Sequence, residues 1–147
     1  QKDKELLLED ICSRLPYGVK CQIQEDEYTY IGTLCRIEVD NKNGHLLDFA
    51  ESISGLDCQV YLSEIKPYLI PLSCMTEEQW MDTPYANLNK FTFDSFKCGC
   101  STLAFETYEV NLNYVVEFIN WCYKNHFDIN GLIPMGLAID ATNINIY

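Results

Sequence analysis

Val19-Lys20-Cys21-Gln22-Ile23-Gln24-Glu25-Asp26-Glu27 is the stretch on which the fold class turns. Val19, Cys21 and Ile23 alternate with Lys20, Gln22 and Gln24, the period of a strand with one face buried. The acidic triplet that follows reads as a polar turn. Beyond it the same period resumes over residues 28–39, where Cys35, Ile37 and Val39 alternate with Arg36, Glu38 and Asp40. Asn41-Lys42-Asn43-Gly44 is the strongest hairpin signal in the chain, because Asn and Gly accept positive φ. Residues 45–49 are then the returning strand, 52–57 a loop, and Cys58, Val60 and Leu62 a fourth strand. Short strands joined this way predict a small antiparallel sheet or a partial barrel.

Upstream the period is helical. Leu7, Leu8, Ile11, Cys12 and Leu15 recur every three or four residues, with Lys4, Glu5, Glu9 and Arg14 on the other side, so residues 3–15 predict an amphipathic helix. Pro16 and Gly18 end it. Downstream, residues 63–75 read as irregular, because Pro67 and Pro71 bracket Tyr68-Leu69-Ile70. Thr76-Glu77-Glu78-Gln79 is a capping box, flanked by Met75 and Trp80 at the hydrophobic-staple positions. Thr83-Pro84 closes that short helix. Phe91, Phe93 and Phe96 read as extended or loop-like, and Leu103, Phe105 and Thr107 as one more strand. Residues 111–125 predict a helix with Leu112, Val115, Val116, Ile119, Cys122 and Tyr123 on its apolar face. Phe127 to Gly136 reads as a short helical turn, capped by Asp128 or Asn130 and stopped by a left-handed Gly136. Leu137 to Ile139 is a last short strand. The whole, residues 1–147, predicts one α+β domain: an N-terminal helix, a small antiparallel sheet or partial barrel, and a C-terminal helix packed on one face.

Composition narrows the function classes. The 147 residues are 48% hydrophobic and carry a net charge of −12, spread along the chain with no acidic tail or basic arm. So acidic a surface repels phosphate backbones and anionic lipid heads, so direct nucleic-acid binding is not expected. Tyr28, Tyr30, Phe91 and Phe93 have the ring chemistry to stack on bases, but stacking platforms lie in basic grooves. No apolar run approaches the ~18 residues of a membrane span. Most of the eight cysteines fall in phase with apolar neighbours, as small core residues do. Free thiols of that kind predict a reducing, cytoplasmic setting.

Four side chains form the candidate metal set. Cys98 and Cys100 offer two close thiolates, and Cys122 and His126 lie four apart in the predicted helix, so together they compose a Cys₃His zinc site. The C-x-C spacing is shorter than structural zinc usually employs. The competing reading makes Cys122 a core residue, His126 a helix-end residue favoured by the dipole, and Cys98 and Cys100 loop thiols. Cys98–Cys100 also reads as a thiol-redox pair, with Lys97 adjacent to lower a thiol pKa. For nucleophilic catalysis only His45 and His126 can act as imidazole base, and His45, Asp48 and Cys58 are the triad that sequence proximity suggests. No local motif supports that triad. The chain has no Gly-rich phosphate loop, no H-E-x-x-H and no G-x-S-x-G.

Two stretches carry a resemblance. They are Lys66-Pro67-Tyr68-Leu69-Ile70-Pro71-Leu72-Ser73-Cys74-Met75-Thr76-Glu77-Glu78-Gln79 and Asn125-His126-Phe127-Asp128-Ile129-Asn130-Gly131-Leu132-Ile133-Pro134-Met135-Gly136-Leu137-Ala138-Ile139-Asp140-Ala141. Their pairing resembles short uncharacterised proteins encoded by bacteriophages, prophages and mobile elements of Bacteroides-type gut bacteria. They cover about a fifth of the chain, and the second is the more specific. The resemblance implies a phage or mobile-element origin and a setting inside a bacterial host cell. It implies no activity, cofactor or catalytic residue. The expectation is a non-catalytic accessory protein that binds a host or phage protein. The alternatives are a zinc or thiol-redox protein built on the cysteine cluster, and an acidic inhibitor that occupies a nucleic-acid-binding surface.

Overall fold

The computed structural model describes residues 1–40, 44–50, 58–86, 93–98 and 112–147. Helix α1 (Lys2–Arg14) runs into a single 3₁₀ turn, Leu15–Tyr17, which Gly18 ends at φ +64°. Strands β1 (Lys20–Glu25) and β2 (Tyr28–Asp40) then form a hairpin with Glu25 opposite Tyr28. Its two-residue turn places Asp26 at φ +50°, a conformation that a short polar side chain tolerates. Strand β3 (Gly44–Ala50) returns along β2 with Asp40 opposite Gly44, as the Asn-Gly signal predicts, although the turn residues 41–43 lie outside the described residues. A register shift between Leu34 and Arg36 bulges β2 at Cys35. Strand β4 (Cys58–Tyr61) pairs with β3, and the predicted loop 52–57 lies outside the described residues.

The sheet then departs from expectation. Ile65–Pro71, read as irregular, is strand β5, and it pairs antiparallel with β1. The prolines misled. Pro67 lies opposite Cys21, ahead of the second set of pairings on this strand, which begins at Tyr68; Pro71 is its last residue. The alternation was missing for a separate reason. Tyr68 and Leu69 are buried on opposite faces, so beyond the exposed Lys66 the run from Pro67 to Pro71 is apolar without alternation. Two further short strands, β6 (Phe127–Asp128) and β7 (Ile139–Asp140), lie parallel to β5. The sheet order is β4-β3-β2-β1-β5-β6, with β7 also on β5. The sheet is therefore mixed and open, neither wholly antiparallel nor a barrel.

One core lies between α1 and the sheet: Leu7, Ile11, Val19, Cys21, Ile23, Leu34, Leu47, Phe49, Val60 and Leu69 are joined there by Leu132 and Ala138. A second, aromatic core lies beyond β5. It is built by α2 (Glu77–Met81), α3 (Phe93–Cys98) and α4 (Leu112–Lys124), with Met75, Trp80, Tyr85, Phe96, Phe118, Cys122 and Phe127 buried together. The capping box forms as read: Thr76 Oγ1 accepts from the Gln79 amide at 3.2 Å, and Gln79 Oε1 accepts from the Thr76 amide at 2.9 Å. Met75 and Trp80, the staple pair, meet in this core.

Phe93 and Phe96 are helical, not extended. Their three-residue spacing puts both rings on Trp80, at 6.4 and 4.8 Å between centroids. Packing of this kind overrides the weak helix preference of Phe. Val116, predicted on the buried face of α4, is 56% exposed, while Phe118 is buried. Phe91 and the strand expected around Leu103, Phe105 and Thr107 lie outside the described residues. The expected helical turn from Phe127 begins instead as β6. No helix forms over 127–136 for Asp128 to cap; its two carboxylate oxygens instead accept from the amides of Leu132 (2.8 Å) and Ile133 (2.9 Å) in the turn that follows. Gly136 takes the expected left-handed φ, +72°.

Candidate functional site

The predicted metal residues are distributed as follows. Cys98 is the last residue of α3, and Cys100 lies outside the described residues. Cys122 is fully buried in the aromatic core, where burial pushes its thiol up to about 12. His126 is not on the same helix: α4 ends at Lys124, and His126 adopts φ +60°. The i,i+4 geometry that brought the two together in the sequence is therefore lost. The His126 ring stacks on Tyr147, with centroids 3.8 Å apart and planes 8° from parallel. Burial, with Arg14 and Lys20 adding positive charge nearby, lowers its pKa to about 4, so it is neutral at pH 7. Its Nδ1 is buried with no hydrogen-bond partner among the described residues.

The catalytic grouping does not assemble either. His45 lies opposite Val39, and Cys58 lies opposite Phe49, four positions further along β3. At a strand rise of about 3.3 Å per residue, that is roughly 13 Å. Asp48 faces Arg36 at 3.7 Å. The aromatic residues considered for base stacking belong to different places. Tyr28 is 76% exposed at the first hairpin, Tyr30 packs on the sheet core, and Phe93 packs on the aromatic core.

A polar network absent from the sequence reading lies at the centre of the molecule. Arg14, expected on the outer face of α1, is fully buried with Asp10. Arg14 Nε and Nη2 donate to the two Asp10 carboxylate oxygens at 2.6 and 3.0 Å, and Nη2 also donates to the Phe127 carbonyl at 2.8 Å. The guanidinium lies 4.9 Å over the Tyr123 ring. Asn130 Nδ2 donates to Asp10 Oδ1 at 2.9 Å and to the Tyr123 hydroxyl at 3.3 Å. The pair thus ties α1 to α4, β6 and the turn beyond. The available signal was the i,i+4 acid–base spacing beside Leu7 and Ile11. Spacing alone does not distinguish a buried pair from an exposed one. The bonds to Phe127 and Asn130 join parts of the fold far apart in sequence, so the network serves cohesion, while Arg14 Nη1 is buried with no hydrogen-bond partner among the described residues.

A cavity of about 350 Å³ opens elsewhere, between the C-terminal segment and the start of α2. Residues 141–147 cross the outer face of the sheet, where Ala141 and Ile146 pack on Tyr68. The Tyr147 hydroxyl donates to the Tyr68 carbonyl at 2.8 Å and accepts from the Lys20 amide at 3.2 Å. Those bonds fix the ring that forms one wall, beside Ile70, Gln79, Thr142 and Ile144. Cys74, also on the lining, has its Sγ 3.5 Å from the Thr142 hydroxyl oxygen. No titratable side chain on this lining is set opposite a second one in the manner of an acid–base pair.

No protein-family model matches the chain. Searches of curated proteins and of solved structures likewise find no similar protein. Among the described residues no helix is long and apolar enough to cross a membrane, and no group of three His, Cys, Asp or Glu side chains is placed to hold a metal ion.

Proposed function

We propose that this chain is a non-catalytic protein-interaction module, an accessory protein of a phage, prophage or mobile element that binds a protein of its bacterial host or of the phage. The observation that carries the reading is the cavity beside the C-terminal segment. Ile144 and Tyr147 on its lining are 44% and 46% exposed, and the second is held rigid by two hydrogen bonds and a ring stack. Large apolar side chains around a preformed concavity suit recognition of a partner. Several buried groups with reactive chemistry support the same reading, because the fold uses them: Asp10 and Asp128 in cross-links, Cys122 in packing. The phage or mobile-element origin rests on the two stretches quoted above.

Affinity capture from prophage-carrying bacteria, quantified by mass spectrometry, tests the reading. The expected result is reproducible, near-stoichiometric recovery of one protein, lost when the exposed Ile144 is replaced by Arg. Recovery of nothing above a bait-free control, from cells expressing folded bait, counts against it.

A further inference from the structure

The chemistry of the cavity lining narrows what the partner presents to it. Its volume, about 350 Å³, lies at the lower end of the range for ligand sites, roughly 300–1,000 Å³, and suits one large side chain. Tyr147 stacks one face on His126 and has its hydroxyl engaged by Lys20 and Tyr68, yet the residue is half exposed and lines the cavity. It is therefore a pinned aromatic surface that a second ring can meet without ordering cost. Ile70 and Ile144 supply aliphatic walls.

The polar side of the lining is selective as well. Gln79 Oε1 is engaged by the Thr76 amide, whereas its Nε2 makes no hydrogen bond among the described residues and is available as a donor. A tyrosine hydroxyl oxygen accepts from such a donor, and an indole N–H does not. Beside the lining, Glu77 and Glu78 precede Gln79, and Asp140 precedes Ala141; all three are exposed. The Thr142 hydroxyl and amide donate to Asp140 at 2.6 and 2.9 Å and hold that carboxyl below the usual range. The cavity lining is uncharged; Glu77, Glu78 and Asp140 adjoin it on the α2 and Thr142 sides, while Lys20 lies on the far side of Tyr147, and the chain as a whole carries −12.

Resting on the interaction reading, we infer that the cavity receives a tyrosine side chain carried on a Lys- or Arg-flanked segment of the partner protein. The ring stacks on Tyr147 between Ile70 and Ile144, the hydroxyl accepts from Gln79, and the flanking cations face Glu77, Glu78 and Asp140. Such surface charges add steering that salt weakens.

The test is a ¹H–¹⁵N NMR titration of the intact chain with acetyl-Lys-Tyr-Lys-amide. Saturable shifts centred on Ile70, Gln79, Thr142 and Ile144 are expected. Replacing the central Tyr with Ala should weaken binding at least about tenfold, as loss of an anchor residue does. Glu in place of both Lys should weaken it several-fold, and Ile144→Arg, at an exposed position that leaves the fold intact by its dispersed spectrum, should abolish it. The inference is overturned if those residues do not move, if the shifts centre on Tyr28 or Val116, or if the Ala peptide binds equally well. A partner captured equally by wild type and Ile144→Arg, with the peptide silent at the cavity, overturns the inference and leaves the interaction reading standing. Cavity-centred binding with no captured partner supports the cavity and counts against the interaction reading.

Discussion

Removing one half of the Asp10–Arg14 pair is the perturbation whose outcome the structure constrains most. Both side chains are fully buried, so Asp10→Leu leaves a guanidinium in the interior whose one remaining hydrogen-bond acceptor among the described residues is the Phe127 carbonyl, beneath it the Tyr123 ring. Two charge-assisted hydrogen bonds, at 2.6 and 3.0 Å, are lost. Bonds to charged groups contribute about 1.5–3 kcal/mol each, and stranding one member of a buried pair costs about 3–5 kcal/mol. Asn130 loses an acceptor in the same step. Arg14→Met is expected to cost a similar amount, because it strands the carboxylate. The double variant Asp10→Leu/Arg14→Met strands neither charge. The Phe127 carbonyl keeps the Ile129 amide at 3.1 Å, so the remaining penalty is the loss of one donor there and of one acceptor at Asn130, about 1–3 kcal/mol, and the double variant should be more stable than either single variant. Urea titrations followed by far-UV circular dichroism, and by the fluorescence of Trp80 and Trp121, give the three free energies. Single variants costing less than about 1 kcal/mol, or effects additive to within about 0.5 kcal/mol, would falsify the burial and coupling argued here.

Four further outcomes are expected. His126 titrates near 4 when folded, against an ordinary 6.5, so its contribution is intact above pH 6.5 and is lost as pH falls toward 4. The loss amounts to about 3 kcal/mol, and wild type should destabilise more steeply over that window than His126→Asn, whose side chain suits the left-handed backbone; parallel pH profiles would contradict this. Cys122 should resist thiol reagents until the chain unfolds, and protein purified without chelator should hold less than about a tenth of an equivalent of zinc, since metal ligation requires the thiolate; a full equivalent by elemental analysis would restore the Cys98, Cys100, Cys122 and His126 site. Thr76→Ala should cost about 1 kcal/mol through the lost cap, measured by thermal or urea unfolding, and no change would refute the capping role. Gly32→Ala should cost about 1–3 kcal/mol, because a Cβ there meets Ile23 Cδ1 at 2.9 Å and Phe49 Cβ at 3.0 Å; a neutral result would refute that close packing.

Much of this molecule is written locally. The helix before Pro16, the alternation through β1 and β2, the Asn-Gly hairpin, the capping box at Thr76 and the glycine stop at Gly136 each depend on residues within a few positions of one another. Their periods and turn chemistry name the element without knowledge of its neighbours. The α+β class follows from those signals.

Tertiary structure decided the rest, for one physical reason: burial on both sides, and contact across long stretches of chain, leave no local period. Strand β5 is covered on both faces, so its apolar run and two prolines resembled a connection. Phe93 and Phe96 are helical because Trp80 receives them. Arg14 reads as an outer-face residue of α1 until Phe127 and Asn130, more than a hundred residues away, enclose it together with Asp10. Cys122 and His126 fell in helical register, but the helix ended between them, and the imidazole stacked on Tyr147 instead. The cavity wall joins residues from β5 through the start of α2 to the C-terminal segment, and no one of those stretches implies a concavity until the three are packed together.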